Sequence, residues 1–562
     1  MKVESYKEEI QEFLKGEVDD SADVLDKYSK DASLLEVRPK LVVFPKDSQD
    51  LQQLVQFVAK KKGEGDRDIS LTIRAAGSCM SGGPLNESII ADVTRHMNKI
   101  GVISRGALDT IWTEPGVLYK DFELYTLNFK LIFPSYPASK NLAAIGGMIG
   151  NNCAGEKTLR YGKMEDFILE SKVIFSDGKE YPVKPLSEAE LRTKMAQGDF
   201  EGDLYKNLSS LIRANKRIID EAKPTVSKNS AGYYLWNVWD EEKGIFDLNK
   251  LIVGSQGTLG IVTETKLRLV PVEPVSKLFV IFLPGLERIA ELVKAILPTK
   301  PESLESYDDA TLKLAFRFFP EMLQTLKPKH FLKLILSFIP EGFMMLRSGF
   351  PKLVLLVEYT GQTEEEVDKK LAQLEKILEP HNLVSRATKS QEESDKYWTI
   401  RRESFSLLRK HVKERRTAPF VDDVVVHPED MPKFLPKMRE ILDSYNLTYT
   451  IAGHAGNGNF HIIPLMDMHK KENIEVIKEV GEKVYALVAE YHGSITGEHN
   501  DGIIRTPYLD RMYSGEVLDL FKQTKTIFDP LNIFNPGKKV PLPGPTQSGT
   551  IPYLESHIAV EP

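Results

Sequence analysis

Four glycine-rich segments constrain this chain more than any other feature. The first is Arg74-Ala75-Ala76-Gly77-Ser78-Cys79-Met80-Ser81-Gly82-Gly83. The second is Pro137-Ala138-Ser139 followed by Ile145-Gly146-Gly147-Met148-Ile149-Gly150-Asn151-Asn152-Cys153-Ala154-Gly155. The third, VGSQGTLGIVT, runs from Val253 through Gly260, Ile261 and Val262 to Thr263, and the last is Phe534-Asn535-Pro536-Gly537-Lys538. Small residues let main-chain N–H groups approach anionic oxygens, and glycine reaches positive φ without a steric cost. Any one of these segments is also consistent with an ordinary turn. The patterns G-x-G-x-x-G and G-x-x-x-x-G-K-S/T are absent, which excludes the usual dinucleotide-fingerprint and P-loop readings.

Between the loops the chain alternates. LVVFP (41–45) precedes the helical pattern DSQDLQQLVQFVAKKK (47–62), with Asp47 and Ser48 placed to cap it. ILESKVIF (168–175) ends in the turn Ser176-Asp177-Gly178, KLFVIFL (277–283) precedes a helix from about Gly285, and KLVLLVEYTG (352–361) precedes TEEEVDKKLAQLEKILE (363–379). This is α+β architecture, and 562 residues are too many for a single core. The expected divisions are an N-terminal helical segment (1–36), a first domain (37–275), a second domain (276–540) and a Pro- and Gly-rich, partly ordered tail (541–562).

The second domain carries AGHAGNGNFHIIP, with His454 and His461 flanking a Gly-Asn-Gly-Asn turn, and Gly497-Glu498-His499-Asn500 some forty residues later. Two imidazoles and a carboxylate suit a borderline divalent ion such as zinc, manganese or iron, with positions left open for substrate. His499, beside Glu498, would then move a proton. The alternative is a set of ordinary loop histidines.

Composition removes several function classes. A formal net charge of −7 argues against nucleic acid as the main partner. Two cysteines, Cys79 and Cys153, cannot ligate an iron–sulfur cluster, and with no export signal they fit a cytoplasmic protein. No run of about 18 apolar residues indicates a membrane span. Residues 311–352, however, carry seven basic against two acidic residues among many Leu, Ile and Phe. That pattern suits peripheral contact with the inner face of an anionic membrane, or else a helical excursion packed over the active site.

Taken together the motifs resemble the FAD-linked oxidases of the vanillyl-alcohol-oxidase superfamily, in the branch of D-2-hydroxyacid dehydrogenases. The resemblance rests on VVFPKDSQDLQQLV, IRAAGSCMSGG, PASKNLAAIGGMIGNNCAGEKTLRYG, VGSQGTLGIVTE, HAGNGNFHIIP, GEHNDG and FDPLNIFNPGK, from about Pro39 to Lys539. It implies a two-part FAD-binding domain followed by an α+β substrate (cap) domain. Arg74, Ala75, Ala76, Gly77, Ser78, Cys79 and Ser81 would hold the FAD pyrophosphate. Pro137, Ser139, Gly146, Gly147, Asn151, Asn152 and Gly155 would line the pyrophosphate and ribityl chain. Gly260, Ile261 and Val262 would face the adenine, and Asn535 the isoalloxazine. Ser78 stands where some relatives carry a flavin-linking histidine, so the FAD is expected to be non-covalent. His454, His461 and Glu498 match the family's metal ligands (zinc or manganese), His499 its proton-abstracting base, and Arg401 an arginine that pairs with the substrate carboxylate.

The implied activity is oxidation of a small, D-lactate-like 2-hydroxyacid to the 2-oxoacid, with electrons passed to a protein or a quinone. Three departures from the family pattern stand out: Asn457 between the metal histidines where an aspartate is commoner, Gln256 for an acidic residue, and Phe405 and Val421 roughly where hydroxyglutarate enzymes bind a second carboxylate. Arg402, Arg409, Arg415 and Arg416 are the residues that could take over that role. The alternatives are a D-2-hydroxyglutarate dehydrogenase, a related flavin oxidase or ether-lipid synthase, and a flavoprotein subunit of a larger electron-transfer complex.

Overall fold

A computed structural model of the chain describes residues 6–317, 349–411 and 415–560, with the side chains of 403–411 excepted. Most of the basic, apolar stretch 311–352 lies outside the described residues, as do the side chains of Phe405 and Arg409.

The first half is built on two main sheets. In one, Leu41–Phe44, Ile89–Asp92 and Leu71–Arg74 run parallel, with Glu17–Asp19 added antiparallel at the edge. Leu41–Phe44 is buried at every position, as a continuous apolar run in a parallel sheet must be. The helix that follows, Ser48–Gly63, is capped by Asp47, whose side chain accepts from the Gln49 and Asp50 amides. In the other sheet, Ile261–Pro271 lies between Asp109–Thr113 and Ile168–Ile174, its residues alternating between buried and half-buried as an antiparallel strand with one covered face does. The glycine loops leave the ends of these elements: 74–83 follows Leu71–Arg74, and 146–150 sits in the short helix Ile145–Asn151.

The chain passes to an eight-stranded antiparallel sheet between Pro271 and Val275. Its spatial order is Val384–Ala387, Val275–Leu283, Leu353–Gly361, Ser303–Asp308, Thr448–His454, Asn459–Met466 and Arg416–Thr417, with Val424–Val425 also paired to Asn459–Met466. The hairpin of Thr448–His454 and Asn459–Met466 sets the histidines. Ala452 lies opposite His461 and His454 opposite Asn459, joined through the turn Ala455–Asn457. Gly458 closes that turn at φ +65°, and a Cβ there would sit 1.9 Å from the Val426 carbonyl oxygen.

The last part of the chain returns to the first half. Ile533 O accepts from Leu71 N at 2.8 Å and Asn535 N donates to Leu71 O at 2.9 Å, so residues 533–535 dock on the edge strand Leu71–Arg74.

Two expectations change. The N-terminal segment contains a strand as well as helices, because Val18 packs into the first core beside Tyr6, Ile10 and Leu14. The tail, expected to be only partly ordered, forms the helix Ile551–His557. Thr550 caps it, Tyr553 and Leu554 are buried, and Ile558 pairs with Leu35. Its few apolar residues are spaced to fill one site, which a Pro- and Gly-rich composition obscures. Among the described residues no helix is long and apolar enough to cross a membrane.

Gly458→Ala is expected to destabilise the protein by about 1–3 kcal/mol through backbone strain and the clash with Val426. Denaturant unfolding of the variant at neutral pH measures it, and wild-type stability would contradict the assignment of this turn.

Candidate active site

One cavity of about 1020 Å³ is lined by both halves of the chain. That is at the upper end of the roughly 300–1,000 Å³ common for ligand and cofactor sites. From the first half its wall includes Arg74, Ala75, Ala76, Gly77, Ser78 and Cys79, then Pro137, Ser139, Gly146, Gly147 and Asn151, then Gly260, Ile261 and Val262. From the second half come Arg401, His461, Glu498 and His499.

Gly146 shows a glycine that close packing requires: a Cβ there would sit 2.9 Å from the Pro115 carbonyl oxygen, in the wall that Gly146 and Gly147 line. Four of the residues expected at the cofactor lie behind the wall instead. Ser81 Oγ donates to the His499 carbonyl, and Asn152 Oδ1 accepts from Glu165 N. Gly155 lies against Tyr136 O, and Asn535 donates to Gly83 O and Gln256 O while accepting from Thr72.

The three histidines share a pattern. His454 Nε2 and His461 Nε2 each lie 3.3 Å from Glu498 Oε1, and His499 Nε2 lies 3.9 Å from the same oxygen. On the far side each ring meets a carboxylate. His454 Nδ1 is 2.7 Å from Glu305, and Asp422 lies 3.2 Å from His461 Nδ1 and 2.7 Å from His499 Nδ1. A carboxylate at Nδ1 favours the proton there, which turns the Nε2 lone pair toward the centre. Oxygen and nitrogen donors from His454, His461 and Glu498 lie within 4.8 Å of one another. Two imidazoles and one carboxylate, each held from behind, fit a borderline divalent cation.

Electrostatics point the same way. Burial alone would raise the Glu498 carboxyl, but the Lys228 ammonium and His454 outweigh it and hold it well below the ordinary value. Burial would lower His461, yet Asp422 and Glu498 push it up to about 10. His499 is raised against burial by Asp423 and Asp422, and Asp422 is itself lowered by His499 and His461. The cluster therefore calls for positive charge at its centre, from a proton or a metal ion.

Glu498 and His499 are themselves fixed through their backbone. Asp423 Oδ2 accepts from Glu498 N at 2.8 Å, from His499 N at 2.7 Å and from Thr496 Oγ1 at 2.6 Å. Arg401 is paired with Glu305, the carboxylate that orients His454, and Arg402 grips both oxygens of Glu156 at 2.6 Å. Asn457 faces Ser227 rather than the histidine centre, and Gln256 donates to Asn151 and accepts from Gly502 N.

Lys228, Glu305, Asp422 and Asp423 were not among the expected site residues. The one available signal was the acidic pair in FVDDVVV, two adjacent charges inside an otherwise apolar run.

A mixed α+β chain with a glycine-lined cavity and a histidine–carboxylate centre is the architecture of a cofactor-dependent oxidoreductase. The chain belongs to the FAD-linked oxidases: residues 39–183 match the FAD binding domain and residues 273–539 the FAD linked oxidases, C-terminal domain. It is 27% identical to a D-2-hydroxyglutarate dehydrogenase of Pseudomonas putida over 90% of this chain and 49% of that one. It is 26% identical to the glycolate oxidase subunit GlcD of Bacillus subtilis, covering 91% of each, and 25% identical to a D-lactate dehydrogenase of Archaeoglobus fulgidus, covering 89% and 91%. The chain thus spans about half the length of several curated relatives it matches and nearly all of others. In fold it is similar to p-cresol methylhydroxylase, with a TM-score of 0.66 at 16% identity over 96% of this chain and 97% of that one.

Glu156 joins the halves by gripping Arg402, and this makes a pH prediction. Burial would raise its carboxyl, but Arg402, with Arg401 and Lys157, lowers it from 4.5 to about 2. Its contribution to stability is therefore complete above pH 4.5 and lost as pH falls through about 2. Glu156→Gln should be less stable than wild type at pH 7, with the gap narrowing as the solution is acidified. Unfolding curves across that range check it, and a pH-independent gap would contradict it.

Proposed function

We propose that this chain is an FAD- and metal-dependent dehydrogenase of a D-2-hydroxyacid, with non-covalent FAD and a zinc or manganese ion held by His454, His461 and Glu498. The single observation behind this reading is that one cavity is lined both by the glycine loops and by His461, Glu498 and His499. The chemistry supplied by the bound groups is hydride acceptance by FAD and polarisation of the substrate hydroxyl by the metal.

The chain's own residues do the rest. His499 Nε2 takes the hydroxyl proton, and Asp422 at its Nδ1 stabilises the imidazolium that forms. Glu305 and Asp422 hold His454 and His461 in the tautomer with Nε2 free to ligate. Arg401 faces the cavity from its pairing with Glu305 and adds positive charge where the substrate's carboxylate would bind. The glycine loops present backbone to the dinucleotide, and Ser78 offers no ring nitrogen for a covalent flavin bond.

A monocarboxylic substrate is the reading favoured here. Arg401 on the cavity wall is assigned to the first carboxylate, and Arg402 beside it is already engaged by both oxygens of Glu156. A second substrate carboxylate without a partner would cost about 1–3 kcal/mol, or roughly 5- to 150-fold in kcat/KM. The expectation drawn from Phe405 and Val421 does not carry this: Val421 is fully buried away from the wall, and the Phe405 side chain lies outside the described residues. A dicarboxylate is the second reading, supported by Arg416 on the cavity wall and by relatives named D-2-hydroxyglutarate dehydrogenase. Electrons would leave to a protein or a quinone. We place the protein in the cytoplasm with peripheral membrane contact near 311–352, where Phe316 and Phe350 are exposed.

Acid precipitation should leave a yellow supernatant over a colourless pellet. With a dye as acceptor, D-lactate should exceed D-2-hydroxyglutarate in kcat/KM. His461→Ala should lose both metal and turnover while the flavin spectrum persists. Flavin in the pellet, preference for the dicarboxylate, or full turnover by the metal-free protein would each refute the corresponding part.

A further inference from the structure

Residues before 39 and after 539 lie outside both matched domains, and in the structure these two stretches meet. Lys30, Asp31, Ala32 and Ser33 form part of the wall of the cofactor cavity. They are stitched to the first glycine loop at three points. The Arg74 guanidinium lies over the Tyr28 ring and donates to Tyr28 O at 3.1 Å and Lys30 O at 2.7 Å. Ala32 N donates to Cys79 O at 2.9 Å, and Gly82 N donates to Asp31 Oδ2 at 3.0 Å.

The next few residues are held by the C-terminal tail. Glu36 N donates to His557 O and Ala559 N to Leu34 O, both at 2.9 Å, making an antiparallel bridge of Leu35 with Ile558. The tail is anchored in turn by Tyr553 and Leu554 in the core and by His557 Nε2, 3.0 Å from Glu87.

We propose that residues 30–33 are a cofactor-binding segment that closes the dinucleotide cavity, and that the tail residues 550–559 are the buckle that keeps it closed. This rests on the reading of the cavity as an FAD site. A wall built mainly from loop backbone holds its ligand only as long as the loops stay shut. Segment 30–33 lies between the helix Ala22–Tyr28 and the strand Leu41–Phe44 with only isolated bridges of its own. Such segments open locally at low free-energy cost unless tied down. The ties here are Arg74, the contacts of Ala32 N and the Asp31 carboxylate with the glycine loop, and the tail. Loss of a tie raises the open population, and FAD release follows it.

The test uses the flavin-loaded full chain and reads the rise in free-FAD fluorescence after dilution, a rate independent of turnover. Ala559→Pro removes one donor of the Leu35–Ile558 bridge and should speed FAD release by roughly 2- to 10-fold, the worth of one backbone hydrogen bond. Asp31→Ala removes the acceptor for Gly82 N and should act similarly. Deletion of 550–562 should exceed either single change. Lys437→Ala, which breaks an exposed pair with Glu490 in the second half, should release FAD at the wild-type rate.

Ala559→Pro and Asp31→Ala proteins that melt normally and yet release FAD at the wild-type rate would overturn the proposal, even if the deletion variant fails to fold. A wild-type protein that carries no flavin would instead overturn the reading of the cavity on which the proposal stands.

Discussion

The site depends on a buried ion pair that reaches across the two halves of the chain. Lys228, from the first half, is fully buried with its ammonium 2.9 Å from Glu498 Oε2 and 3.3 Å from Asn459 Oδ1. Holding Oε2 leaves Oε1 as the oxygen that the three imidazoles face. A buried pair of this kind adds little net stability compared with apolar packing, because desolvating two charges is costly. What it adds here is direction: it fixes which oxygen points into the cavity and ties that choice to the docking of the two halves.

The remaining contacts across that junction follow the same logic. Arg160 bridges Glu273 and Glu302, Lys157 meets Glu302, and Arg402 meets Glu156, so the cavity sits between surfaces joined by charge pairs. Asn500 donates to Gly150, Asn151 and Gly254 carbonyls, so the loop carrying Glu498 and His499 is fastened to the glycine loops themselves. Asp423 grips the amides of both residues from the other side. The glycine loops and the histidine–carboxylate centre are thus one mechanical unit, although nearly 350 residues separate them in sequence. In the proposed reaction that linkage would serve hydride transfer, since rate falls steeply with small displacements of the reacting atoms.

How far the sequence could be read depended on whether a signal was local. A helix start with a capping side chain was legible: Asp47 accepts amides of the first turn, as its position suggested. So was the continuous apolar strand Leu353–Gly361. The residues that orient the site were not. Lys228 and Glu305 come from separate segments and act one side chain at a time, so neither spacing nor composition marks them, and Asp422 was marked only by its place in an acidic pair within an apolar run. Ser81, Asn152 and Asn535 show how a motif can be legible while the direction of its side chains is not. Their motifs do belong to the cavity, but the alternation of a packed loop turns these particular side chains into its supports. The tail was misjudged because Pro and Gly content says little when Tyr553, Leu554 and Ile558 have a waiting site.

In the proposed enzyme the histidine–carboxylate centre and the flavin cavity act on one substrate. Anaerobic mixing of the flavin-loaded protein with a D-2-hydroxyacid, with and without prior metal removal, tests it most directly. Oxidised-flavin absorbance should be lost with D-lactate but not with L-lactate, and only in the metal-loaded protein, the response returning when the metal is added back. Bleaching that is indifferent to the metal or to the substrate's handedness would contradict it.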